Sequence, residues 1–181
     1  MVLLALLTVL TGGVYPLIVT GIARALFPAE AAGSILERDG HAVGSSLIGQ
    51  SFTDPGHFWS RPSATTPQPY NGSASTGSNL GPLNPALLDA VTSRLAALHA
   101  ADPGDAAPIP ADLVTASASG LDPHISLAAA YDQVRGWRAR GLDVGRVRAL
   151  IAARGEGRLL GILGEPRVNV LELNLALDAL K

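Results

Sequence analysis

The first 23 residues, MVLLALLTVLTGGVYPLIVTGIA, carry no charge, and all 13 Lys and Arg and all 15 Asp and Glu residues lie from Arg24 onward. No other feature constrains the chain as strongly. Coiled into a helix the run would be roughly 34 Å long, enough to cross a hydrocarbon core of about 30 Å. Each Leu, Ile and Val favours insertion by roughly 0.3–0.6 kcal/mol. A cleaved secretory signal needs a basic start, a shorter apolar core and a small-residue cleavage site. Here the basic start is missing, and Ala29-Glu30-Ala31 is a poor site. The sequence therefore predicts an uncleaved transmembrane anchor over residues 1–27, in contact with membrane lipid. Pro16 removes a backbone donor, and Gly12, Gly13 and Gly21 leave flat patches where another helix can approach, so these four are candidate partner-contact residues. Arg24 after the run, with nothing basic before it, points to a cytoplasmic carboxyl side.

The 181 residues allow one ordinary domain beside such an anchor. A formal charge of -2 and 4% aromatic residues offer neither the field nor the stacking platforms that nucleic acid requires. Cysteine is absent, which excludes disulfides, thiol catalysis and thiolate zinc sites. The sole lysine is Lys181, so a GxxxxGK[ST] phosphate loop cannot be present.

Behind the anchor, residues 34–37 and 43–48 read as strands around an Arg38-Asp39-Gly40 turn. Residues 62–88 are uncharged and rich in Gly, Pro, Ser, Thr and Asn. A solvated linker normally carries charge, and this one holds Tyr70 and Leu80, so an ordered loop covering a surface or meeting a partner is expected. Asn84-Pro85 opens a helix with Leu87, Val91, Leu95 and Leu98 on one face. Residues 112–117 read as a strand or buried extended segment. Asp122-Pro123 reads as a cap and first turn for a helix over 125–140, and Asp143 as the cap of another. Arg158–Leu163 reads as a strand and 168–180 as a closing helix. The expected class is α+β: one N-terminal transmembrane helix, then a single mixed α/β domain over 28–181.

No catalytic or metal constellation stands out. His41, His57, His99 and His124 show no i,i+4 pairing, and Asp54 and Asp122 each precede a proline, where turn or cap duty suffices. Gly155–Gly161 has the wrong spacing and context for a dinucleotide fingerprint. A serine hydrolase using Ser117 or Ser119 with His124 is an alternative from another class, as is an anchored or secreted extracytoplasmic binding module.

Several ordered motifs add a resemblance. Thr11–Leu17, Gly44–Gln50, Arg61-Pro62-Ser63-Ala64-Thr65, Pro69-Tyr70-Asn71, Gly77-Ser78-Asn79-Leu80, Val114–Asp122, Gln133 and Val168–Asp178 closely resemble the C-subunit family of the Kdp potassium-transporting ATPases. The sequence departs from the usual member by entering its apolar run at Met1, where members have a short leading tail. The resemblance implies a single-span, non-catalytic subunit of a bacterial inner-membrane complex, with its domain outside the cytoplasm, against the indication of Arg24. It implies as partners a pore-forming A subunit and an ATP-hydrolysing P-type B subunit, and allows a small F subunit. It also implies a catalytic-chaperone role that raises the nucleotide affinity of the B subunit. ATP enters by resemblance only, with no tightly bound cofactor and no residues assigned. Arg61, Tyr70, Asn71, Ser75 and Asn79 join the candidate partner contacts, on a loop expected to lie against a partner or at the external mouth of the potassium pathway, where fixed positive charge would repel the ion.

Overall fold

A computed structural model describes residues 1–103, 107–134 and 143–180. The apolar run forms one helix, Val2–Leu26, the only one among the described residues long and apolar enough to cross a membrane. It comprises α1 (Val2–Val9), a π turn over Leu10–Val14, and α2 (Tyr15–Leu26). The donor missing at Pro16 leaves its mark in that π turn. Proline has no N–H and its ring collides with the carbonyl four residues back, here that of Gly12, and a five-residue repeat relieves both. The Tyr15 N–H accordingly bonds Leu10 O.

A short helix α3 (Pro28–Ala31) precedes strands β1 (Ile35–Arg38) and β2 (His41–Ser45). Asp39 and Gly40 both take positive φ, +53° and +76°, as a two-residue hairpin turn of the primed type requires. The pairing runs Ile35 to Ser45 through Arg38 to His41 with a bulge at Leu36/Glu37, and it stops at two strands, with residues 46–48 outside it. Contacts divide the chain into one compact unit, Met1–Ser45, and a second from Ser46 onward.

In the second unit, α4 (Pro85–Ala101) begins where Asn84 accepts from the Ala86 N–H, and Leu87, Val91, Leu95 and Leu98 share its half-buried face, as expected. Residues 111–113 form a 3-10 turn rather than a strand, because Asp112 turns back to accept from Ser126 N (2.7 Å) and Ser126 Oγ (3.2 Å). Leu113 and Val114 are buried there.

The helix expected from residue 125 starts later. His124–Ser126 is a strand, β3, antiparallel to β4 (Arg167–Asn169), so that Ile125 and Val168 face each other in the core. Ser126, not Asp122, caps α5 (Leu127–Gln133), accepting from Ala129 N. The expected continuation over 135–140 lies outside the described residues. Asp143 caps α6 (Val144–Arg154) as expected, accepting from Gly145 and Arg146 N. Asn169 caps α7 (Val170–Asp178). The core is built from Phe58, Leu113, Ile125, Ala129, Ala130, Val134, Val147, Ile151, Val168, Val170, Leu173 and Leu177.

Residues 158–163 form no regular strand. Leu159 and Leu163 make one isolated antiparallel pair, and Leu160 (φ +55°) and Gly161 (φ +76°) turn the chain between them. An apolar run becomes a strand only where a partner edge is available, and this one folds back on itself.

Candidate functional site

Several of the motif residues of the second unit meet in one place. The extended segment 57–61 has no neighbouring strand, so its backbone groups need other partners. Side-chain amides supply them. Asn174 accepts from Phe58 N (2.7 Å) and donates to Phe58 O (3.0 Å); Gln133 does the same at Trp59, at 2.7 and 3.1 Å. One turn beyond Asn174 on α7, Asp178 Oδ1 lies 3.0 Å from His57 Nε2. Each amide imitates the donor and acceptor of a neighbouring strand. Asn169 serves twice, donating to Ser46 O and accepting from Glu172 N.

The uncharged loop continues from this clamp and is tied to residues 117–122. Ser63 Oγ donates to Gly120 O (2.6 Å) and accepts from Tyr70 N (2.9 Å). Thr65 Oγ1 donates to Gln68 O and accepts from Asn71 N. Tyr70 donates its hydroxyl proton to Arg61 O, and burial pushes its pKa above the ordinary value. Asn71 accepts from Ser73 N and donates to Thr66 O, closing a local turn. Ser75 donates to Ser119 O. Gly120 sits at φ +67°, and a β-carbon there would lie 2.5 Å from Thr76 O and 2.7 Å from Thr65 Cγ2. Gly77 is similarly close to Ala118 O, at 2.8 Å.

Arg61 extends from this loop to Asp122, Nη1 to Oδ2 at 2.9 Å. Asp122 also accepts from His124 N at 3.0 Å, with His124 Nδ1 3.4 Å from the same oxygen. Burial alone would raise the Asp122 carboxyl, but the His124 and Arg61 contacts outweigh it and hold the pKa at about 2. Leu47, Arg61, Ser117, Ser119, Asp122 and Pro123 border an open groove of about 570 Å³.

Of the residues singled out from sequence, Arg61, Tyr70, Asn71 and Ser75 are thus brought together and bonded to their own chain. Asn79 is exposed at φ +51°. Gly12 and Gly13 fall inside the π turn, Pro16 follows it, and Gly12, Gly13 and Gly21 have open space around them within the chain. Ser117 Oγ accepts from Gly120 N and Ser119 Oγ from Leu121 N, so both serve their own turn. Among the described residues, no group of three or more His, Asp or Glu side chains could hold a metal. Sequence reasoning named Gln133, Ser63 and Asn174 only as parts of the family motifs, and assigned no structural role to them or to Asp112. A further signal was the lone asparagine among the leucines of LELNLALDAL.

One long apolar helix and a small α/β unit with inward-tied polar loops define the class, a small mixed α/β chain with one N-terminal segment long and apolar enough to cross a membrane. The chain belongs to the KdpC family: the family model described as the K+-transporting ATPase, c chain, matches residues 1–179. It is 69% identical to a potassium-transporting ATPase KdpC subunit of Polaromonas naphthalenivorans, over 100% of this chain and 93% of that one. It is 67% identical to the one from Variovorax paradoxus, over 99% and 93%, and 64% identical to that of Sorangium cellulosum, over 98% and 94%.

Proposed function

We propose that this chain is a non-catalytic accessory subunit of a high-affinity, ATP-driven potassium pump of the bacterial inner membrane. In this reading residues 1–27 anchor it, residues 28–181 lie outside the cytoplasm, and it stabilises assembly of a pore-forming subunit with a P-type ATPase subunit, with a small F subunit as a further neighbour. The observation that carries the proposal is the family match over residues 1–179. The uncovered glycines within the π turn, Gly12 and Gly13, add a place where a partner helix can approach closely.

We infer that nucleotide is held by the ATPase subunit rather than by the described residues of this chain. The cavity beneath Trp59 and Leu98 has about 50 Å³, against roughly 300–1,000 Å³ for small-molecule sites. In the larger open groove the Arg61 guanidinium is neutralised by Asp122, whose carboxylate repels phosphate. Gly77 and Gly120, which could otherwise form a phosphate cradle, are filled by their own chain. An effect on the ATPase subunit's nucleotide affinity then acts through contact between chains.

Co-expression with the pore and ATPase subunits, followed by purification in mild detergent, tests the assignment: co-elution is expected, and consistent separation of this chain overturns it. Arginine placed at Ser75 tests the position of the loop, since weakened, salt-dependent potassium uptake by an intact complex is expected if the loop borders the ion's entrance.

A further inference from the structure

We propose that Asn71 is a site of covalent modification that records opening of the polar loop: its side-chain amide becomes a carboxylate in chains whose loop is open, and the closed loop blocks the conversion. Four other asparagines, Asn79, Asn84, Asn169 and Asn174, are followed by Leu, Pro, Val and Leu. Asn71 alone is followed by glycine, whose nitrogen meets the preceding side chain with the least steric hindrance and the widest choice of backbone angles. In the reaction the Gly72 nitrogen bonds to Asn71 Cγ, the Cγ–Nδ2 bond breaks, and Nδ2 departs as ammonia with the Gly72 proton. Water then opens the cyclic imide at one of its carbonyls, leaving aspartate or isoaspartate at position 71. Water is the sole co-reactant, and Gly72 is exposed to it.

The closed loop opposes each movement this requires. Asn71 Nδ2 donates to Thr66 O (3.1 Å) and Oδ1 accepts from Ser73 N (3.0 Å). These bonds fix the plane of the amide from both ends, and attack at Cγ, which takes the carbon out of that plane, has to break them. The main chain is held at the same residue, because Asn71 N donates to Thr65 Oγ1 (3.0 Å) and Asn71 O accepts from Ala74 N (3.0 Å). Thr65, which anchors this arrangement, is buried. A β-carbon at Gly72 would stand 3.4 Å from Ile48 Cδ1, so the peptide that supplies the nucleophile lies against a side chain. Reaction therefore proceeds from the open loop, at a rate set by how often these bonds open together.

The product no longer suits the place it occupies. A carboxylate has no N–H to give Thr66 O and turns an oxygen towards it instead. It also puts a negative charge into residues 62–88, which otherwise carry none. Isoaspartate lengthens the main chain inside the turn that Asn71 O and Ala74 N close. A loop modified while open thus closes less well afterwards.

The test uses the full chain in mild detergent and mildly alkaline buffer, with the amide-to-acid change located by tandem mass spectrometry. Above the urea midpoint Asn71 should convert at least tenfold faster than without urea, while the other asparagines remain amides. Equal rates in the two conditions overturn the protection, and an unmodified Asn71 in urea overturns the reactivity. Gly72→Ala should slow conversion in urea at least fivefold; an unchanged rate would mean direct hydrolysis in place of attack by the residue 72 nitrogen, and the proposed step fails. Without urea, Thr65→Val removes the hydroxyl that accepts from Asn71 N and should speed conversion at least threefold while its own urea midpoint shows it folded. If that rate equals wild type, the loop is not the gate. Asn71→Asp reproduces one product and should unfold at a lower urea concentration than wild type; a midpoint at or above wild type contradicts the poor fit of the carboxylate.

Discussion

The loop 62–80 and the hairpin 158–165 exchange the roles their compositions suggest. The first is rich in Ser, Thr, Asn, Pro and Gly, yet Thr65 within it is buried and Ser63, Tyr70 and Asn71 are half-buried against the chain's own backbone. The second carries Leu159, Leu160, Ile162 and Leu163, and all four face outward. Hydrogen-bond supply explains the inversion. An extended segment without strand partners can be buried only if side chains complete its donors and acceptors, so it recruits polar residues. A hairpin paired at Leu159–Leu163 and Glu156–Arg167 satisfies its own backbone, and its side chains remain available for something else.

The largest test of this contrast is Asn174→Leu. It strands both Phe58 backbone groups, and should cost about 1–3 kcal/mol for each of them, read as a lower urea midpoint of the purified chain. A midpoint equal to wild type would mean the clamp contributes nothing. Next comes a matched pair of glycines with left-handed backbones. Gly120→Ala combines φ +67° with a close approach to Thr76 O, and should cost roughly 2–4 kcal/mol. Gly161→Ala at φ +76° has open space around it, and should cost roughly 1–2 kcal/mol. Equal losses would erase the distinction between a packed and an open turn.

A smaller effect is expected from acid. The folded Asp122 carboxyl titrates at about 2 against an ordinary 3.8, so its contribution is present above the ordinary value and disappears as pH falls towards 2. Urea midpoints measured from pH 6 to pH 2 should therefore decline more in wild type than in Asp122→Asn, with the difference confined below about pH 4; parallel curves would contradict the Arg61–Asp122–His124 arrangement. The smallest change is expected at the hairpin itself. Arg158→Ala removes an exposed ion pair with Glu165 and should shift folding stability by no more than about 1 kcal/mol. A larger loss would mean that the hairpin supports the core.

Signals confined to a few neighbouring residues were legible in the sequence. Asn84-Pro85, Asp143 and Asp39-Gly40 each specify a cap or turn through their own side chain or φ, and each stands where expected. Asp122-Pro123 carried the same kind of signal and misled, because Ile125 gains more by pairing opposite Val168 than by joining a helix, leaving Ser126 to cap. Arg158–Leu163 misled because an apolar run does not reveal whether a partner edge exists. The polar clamp was illegible for a related reason: neither Asn174 nor Phe58 carries any local mark of the other. The candidate site was therefore read as a composition and a set of motifs, while the bonds that organise it depend on the fold.

The Asn174–Phe58 clamp joins positions 116 residues apart, which sets an order of events during biogenesis. A ribosome adding about 5–20 residues per second needs roughly 6–23 seconds to travel from one to the other. Throughout that interval Phe58 lacks its final hydrogen-bonding partner, whereas the N-terminal apolar helix needs only its own residues to form. Closure of the clamp on Phe58 is thus a late step, and a chain cut short before α7 exposes the unpaired backbone on which proteases act.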